Sequence, residues 1–136
     1  MVSLSASIRR DQRLAEVERR KVAVVDDDHA VRESLQYLLE VLGHAVEAFE
    51  SAAKFLEAQA QQFACLILDH HMPNMTGLEL AEKLRTDGNL LPIMLITGSP
   101  SDTIVSRAAD LGISRILDKP PSEEELLDFI EAHQSR

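Results

Sequence analysis

Four short apolar runs, each closed by a polar side chain, restrict what this sequence can fold into. Val22-Ala23-Val24-Val25 ends at Asp26-Asp27-Asp28, and Cys65-Leu66-Ile67-Leu68 ends at Asp69. Ile93-Met94-Leu95-Ile96 ends at Thr97, and Ile116-Leu117-Asp118 ends at Lys119. Runs of this length, apolar throughout, read as strands buried on both faces. Helical spacing fills the segments between them, and strands alternating with helices imply a parallel sheet covered on both sides. All four polar termini then lie on one edge, where open α/β sheets bind ligands.

The remaining elements follow from spacing and capping residues. Asp28 is an N-cap candidate for a helix carrying Val31, Leu35, Leu38, Leu39 and Leu42, which Gly43 closes. Ala45 to Phe49 reads as a strand, and Ser51 to Gln59 as a short helix burying Ala52, Phe55 and Leu56. The third strand is Ala64 to Leu68. Thr76-Gly77-Leu78-Glu79 has capping-box spacing and opens a helix through Leu80, Leu84 and Arg85. A helix from Ser101 or Asp102 to about Leu111-Gly112 precedes a strand at Arg115 to Leu117. After Pro120-Pro121, a second capping box at Ser122 starts a last helix burying Leu126, Leu127 and Ile130. The expected fold is α/β: a doubly wound, five-stranded parallel sheet with five helices in three layers. Residues 21–136 form one domain, and residues 1–20 an N-terminal extension, flexible or helical.

Composition narrows the setting. Aromatics make up 4% of the 136 residues, with no Trp, so aliphatic side chains fill the core. The single Cys65 excludes an internal disulfide and reads as a buried thiol. No stretch approaches the ~20 apolar residues of a membrane span, and the N-terminus lacks a secretion signal's apolar region. A cytoplasmic protein without membrane association is expected. The net charge of −9 divides unevenly: residues 1–21 carry +3 and the rest −12. A body so acidic is not expected to bind nucleic acid through its own surface. Leu4, Ile8 and Ala15 are loosely spaced for a helical stripe that could pack the extension on the body.

Three carboxylates at neighbouring strand ends repel one another unless a cation intervenes. Hard oxygen ligands favour Mg²⁺, or Mn²⁺, over zinc. Two acids at the first strand end suit that ion, leaving Asp69 to attack phosphorus and form an aspartyl phosphate. Lys119 supplies positive charge and Thr97 a hydroxyl to the phosphoryl oxygens. His70 and His71 fall on opposite sides of an extended loop with no third ligand nearby, so they read as solvent-facing rather than metal-binding.

These motifs together resemble the receiver domain of bacterial two-component response regulators, nearest to the nitrogen-fixation and LuxR-type class. The resemblance rests on Val24-Val25-Asp26-Asp27-Asp28, Val31-Arg32, Asp69 with Met72-Pro73-Asn74-Met75-Thr76-Gly77-Leu78-Glu79-Leu80, Leu95-Ile96-Thr97-Gly98 and Lys119-Pro120. It implies a flavodoxin-like fold and Asp69 as phosphoacceptor, with Thr97 and Lys119 contacting the phosphoryl group. It further implies Mg²⁺ held by Asp26, Asp27, Asp69 and the backbone carbonyl of His71, and a cis bond at Lys119-Pro120. The implied donor is a sensor histidine kinase or a phosphotransfer protein in a phosphorelay. The implied output is a downstream protein or a homodimer through the helix 4, strand 5 and helix 5 face.

Such a domain is a signalling module rather than an enzyme, catalysing only its own phosphoryl transfer and hydrolysis. His71, two residues after the acceptor, is expected to modulate dephosphorylation. Ile116 departs from the pattern, since many receivers place there a Tyr or Phe that swings inward on activation. Pro121 stands where many place Phe. Altered coupling from site to surface is therefore expected. Two other readings compete: a receiver-fold partner-binding module signalling without phosphorylation, and a metal-dependent phosphohydrolase. Such hydrolases commonly carry a second acid at the position of His71.

Overall fold

The computed structural model describes residues 20–58 and 62–134. Their elements run β1 (Lys21–Val25), α1 (His29–Val41), β2 (Val46–Phe49), α2 (Ala52–Leu56) and β3 (Phe63–Asp69). They continue with α3 (Gly77–Thr86), β4 (Ile93–Thr97), α4 (Asp102–Asp110), β5 (Arg115–Asp118) and α5 (Glu123–Gln134). All strand pairs are parallel, in the order β2-β1-β3-β4-β5. This is the expected doubly wound fold. From β1 the chain moves one way to β2 and the other way to β3, which makes the crevice between β1 and β3 the topological switch point.

Period-two alternation builds a core on each face of the sheet. Ala23, Val25, Leu66, Leu68, Ile93 and Leu95 pack with Phe55, Leu78, Leu80 and Leu84 on the side of α2, α3 and α4. Val22, Val24, Cys65, Ile67, Met94 and Ile96 pack on the other side with Leu35 and Leu39 of α1 and Leu126, Phe129 and Ile130 of α5. Phe49, Phe55 and Phe63 pack against one another, with ring centroids 5.3 to 5.9 Å apart.

Several boundaries and burial assignments differ from expectation. β3 is longer than Ala64 to Leu68: all seven of its residues are buried, and Asp69 is its last residue rather than its successor. α2 stops at Leu56, where its apolar stripe ends; Gln59 and the Leu4, Ile8 and Ala15 stripe lie outside the described residues. On α1, Leu35 and Leu39 are buried, but Val31 and Leu42 are 37% and 39% exposed. In α5, Phe129 takes the buried place assigned to Leu127, which is only half-buried. Four α-helices begin with a side-chain cap from Asp28, Ser51, Thr76 or Ser101, the Thr76 cap being a full capping box. Ser122 Oγ accepts from Glu125 N at 3.1 Å and donates to Glu125 Oε1, so the second box closes through the hydroxyl instead of the backbone. No described helix is long and apolar enough to cross a membrane.

Candidate phosphoryl-transfer site

The ends of β1 and β3 bring Asp26, Asp27 and Asp69 together, each offering a carboxylate oxygen within 4.8 Å of the others. Asp69 is 2% exposed and Asp26 is 4% exposed, while Asp27 lies on the surface. Asp26 is aimed by its neighbours: the Asp28 N–H donates to its Oδ1 at 2.9 Å, and Arg32 Nη1 holds its carbonyl at 2.9 Å. Burial raises the Asp26 pKa, and the charges of Asp69 and Asp27 add to the rise against the opposing Asp28 N–H and Lys119.

Lys119 follows β5 and reaches back to place Nζ 2.7 Å from Asp69 Oδ1. Among the described residues this ionic contact is all that the Asp69 carboxylate receives: neither oxygen has a well-directed hydrogen-bond donor. Burial opposes the ammonium charge, but the Asp69 bond and the carboxylates of Asp69, Asp26 and Asp27 outweigh it and raise the Lys119 pKa. The Lys119–Pro120 bond is cis, as expected. Thr97 ends β4, fully buried, beside Asp69 on β3.

A buried carboxylate with an unsatisfied oxygen, beside two further acids, is a donor set suited to a hard divalent cation. Charge balance points the same way, since one ammonium faces three carboxylates.

The histidines are not placed as expected. The His70 N–H bonds the Ile96 carbonyl at 2.9 Å, so strand geometry persists past Asp69 and carries the His70 side chain under α3. His70 is buried, and its Nδ1 accepts from Leu78 N at 3.4 Å. Burial, then the neighbouring His71, lowers its pKa. The two rings meet edge to face with centroids 5.0 Å apart, not on opposite sides of the loop. His71 is exposed, yet its Nε2 lies 2.9 Å from Thr97 Oγ1. Neither histidine joins a cluster of metal-ligating groups among the described residues.

Gly77 and Arg32 also shape the site, though no role was assigned to either from spacing. A Cβ on Gly77 would lie 2.7 Å from the Asp69 carbonyl oxygen, and the Gly77 N–H donates to the His70 carbonyl at 3.0 Å. The signal was a glycine at the first position of a helix, where its propensity is poor. In the same loop, Asn74 adopts φ 71°.

With this geometry in place, comparison with known proteins decides the family. Residues 22–131 match the response regulator receiver domain. The chain belongs to that family. The chain is 34% identical over 112 residues to the transcriptional regulatory protein FixJ of Bradyrhizobium diazoefficiens, covering 82% of this chain and 55% of FixJ. It is 38% identical over 112 residues to the response regulator TodT of Pseudomonas putida, covering 82% and 49%. The response regulator StyR superposes with a TM-score of 0.78 at 43% identity, covering 84% of this chain and 58% of StyR. The chain thus spans about half the length of the curated relatives it matches. The receiver is a signalling domain of two-component systems.

Proposed function

We propose that Asp69 accepts a phosphoryl group from the phosphohistidine of a sensor histidine kinase or phosphotransfer protein, with Mg²⁺ (or Mn²⁺) bound at Asp26, Asp27, Asp69 and the His71 carbonyl. The observation that carries this reading is the buried Asp69 carboxylate, in contact with Lys119 and otherwise unsatisfied at the switch point. One Asp69 oxygen attacks phosphorus, and the phosphorus–nitrogen bond breaks with its electron pair returning to the donor imidazole. The bound cation would offset the carboxylate charges and the charge on the phosphoryl oxygens. Lys119 pairs with the phosphoryl oxygens as the Asp69 oxygen becomes the bridging oxygen of the acyl phosphate, and Thr97 donates its hydroxyl to them. Hydrolysis of the aspartyl phosphate by water restores Asp69.

Residues 21–136 act as the receiver, and residues 1–20 as an extension to it. An apolar groove lined by Val31, Leu35, Leu38, Pro121 and Leu126 opens beside Asp26 and Lys119, between α1 and α5. Its position supports docking of a histidine-bearing donor protein there. The output partner, a downstream protein or a second copy, takes the face of α4, β5 and α5. Exposed Val105 of α4 and the edge strand β5 support that choice.

Incubation with acetyl phosphate and Mg²⁺, read by intact mass, tests the reading. One phosphoryl adduct is expected on the wild type and none on Asp69→Asn or after chelation. An unmodified wild type, or equal modification of Asp69→Asn, contradicts it.

A further inference from the structure

Thr97 Oγ1 makes no hydrogen bond to Asp69, whose carboxylate meets only the Lys119 ammonium among the described residues. Its partners lie on the loop side: it accepts from the Ser99 N–H at 3.2 Å and stands 2.9 Å from His71 Nε2. We propose that His71 is a positioning residue that holds the Thr97 hydroxyl away from Asp69, so that loading of Asp69 proceeds only as the His71–Thr97 bond breaks. This inference rests on the reading of Asp69 as phosphoacceptor.

The hydroxyl has one proton and two acceptor positions. Ser99 fills one acceptor position. His71 either takes the proton or fills the other, according to its tautomer, and both arrangements fix Oγ1 at the imidazole. The imidazole is itself held. Its ring rests edge to face on buried His70, which is tied through its own N–H to Ile96 and through Nδ1 to Leu78 N. Ile116 on the neighbouring strand has no polar atom with which to receive the hydroxyl, and it packs instead with the apolar cluster under α4. His71 is thus the side chain whose contact with Thr97 differs between the free and loaded states.

The test titrates the full chain with beryllofluoride and Mg²⁺ and follows the Thr97 and Gly98 amide resonances. His71→Ala is expected to bind about 2- to 10-fold more tightly than wild type, the range of one net hydrogen bond. His71→Gln, which retains a polar side-chain terminus, is expected to return most of the way to wild type. In a Thr97→Ala background, His71→Ala is expected to change affinity by less than about twofold, because the bond it removes is already gone. Equal affinities for wild type and His71→Ala, or an undiminished gain in the Thr97→Ala background, overturn the gate and leave the phosphoacceptor reading standing. Absence of beryllofluoride binding by wild type, or equal binding by Asp69→Asn, overturns both.

Discussion

A methyl group on Gly77 would sit 2.7 Å from the Asp69 carbonyl oxygen and 2.8 Å from Leu95 Cδ1. Both neighbours belong to central strands and have little room to retreat. Gly77→Ala is therefore expected to destabilise the fold by about 1–3 kcal/mol, the usual cost of overpacking, measured by urea unfolding. It also pushes on Asp69, the proposed nucleophile, so slower phosphorylation by acetyl phosphate should accompany the loss.

Cys65 offers a pH-dependent check of the core. Burial pushes its thiol up from 9.0 to about 12. Between those values the unfolded chain loses a proton that the folded chain keeps, so stability is complete below pH 9 and falls as pH rises toward 12. The expected slope is about 1.4 kcal/mol per pH unit relative to Cys65→Ala. Parallel stability–pH curves for the two proteins would show the thiol to be accessible. At this scale the acids, Thr97 and Lys119 were legible because each terminates an apolar run. His70 was not, since its burial depends on strand geometry continuing beyond Asp69, which residue types alone do not encode.

Between elements, Arg85 near the C-terminus of α3 shows how loops distant from the site are fixed. Its guanidinium donates to the carbonyls of Leu111 at 2.7 Å and of Asn89 and Leu91 at 2.9 Å each. These contacts tie α3 to the loops before β4 and after α4. Burial lowers the Arg85 pKa, against the charge that these carbonyls stabilise. Arg85→Met keeps much of the stem but leaves these carbonyls, and that of Gly112, without their donor. A loss of about 2–4 kcal/mol is expected, with only partial recovery in Arg85→Lys, whose compact ammonium cannot span the same carbonyls. Urea midpoints equal to wild type for both variants would contradict this role.

The elements themselves were readable because period and capping agree. The capping box at Thr76 and the cap at Asp28 stand where spacing put them. Which residue of α5 is buried was less legible. Leu127 and Phe129 are both apolar, and the pitch of the helix against β1 and β3, not hydrophobicity, selects Phe129.

Across the whole molecule, the strand order places the switch point of an open α/β sheet under the acids: β1 and β3 diverge in connectivity, and Asp26, Asp27 and Asp69 meet where they part. One side of that crevice opens into the apolar groove between α1 and α5, and the other reaches Thr97, His71 and the β4–β5 edge. The proposed donor docking, phosphoryl chemistry and output would thus occupy adjoining parts of one sheet edge. The central claim is that Asp69 bears the phosphoryl group. Borohydride reduction of the protein after acetyl phosphate and Mg²⁺ treatment converts an aspartyl phosphate into homoserine, and peptide mass mapping locates it. The account predicts homoserine at position 69 alone. Homoserine at Asp26 or Asp27, or an unreduced chain in which phosphate is found on a histidine or hydroxyl side chain, would contradict it.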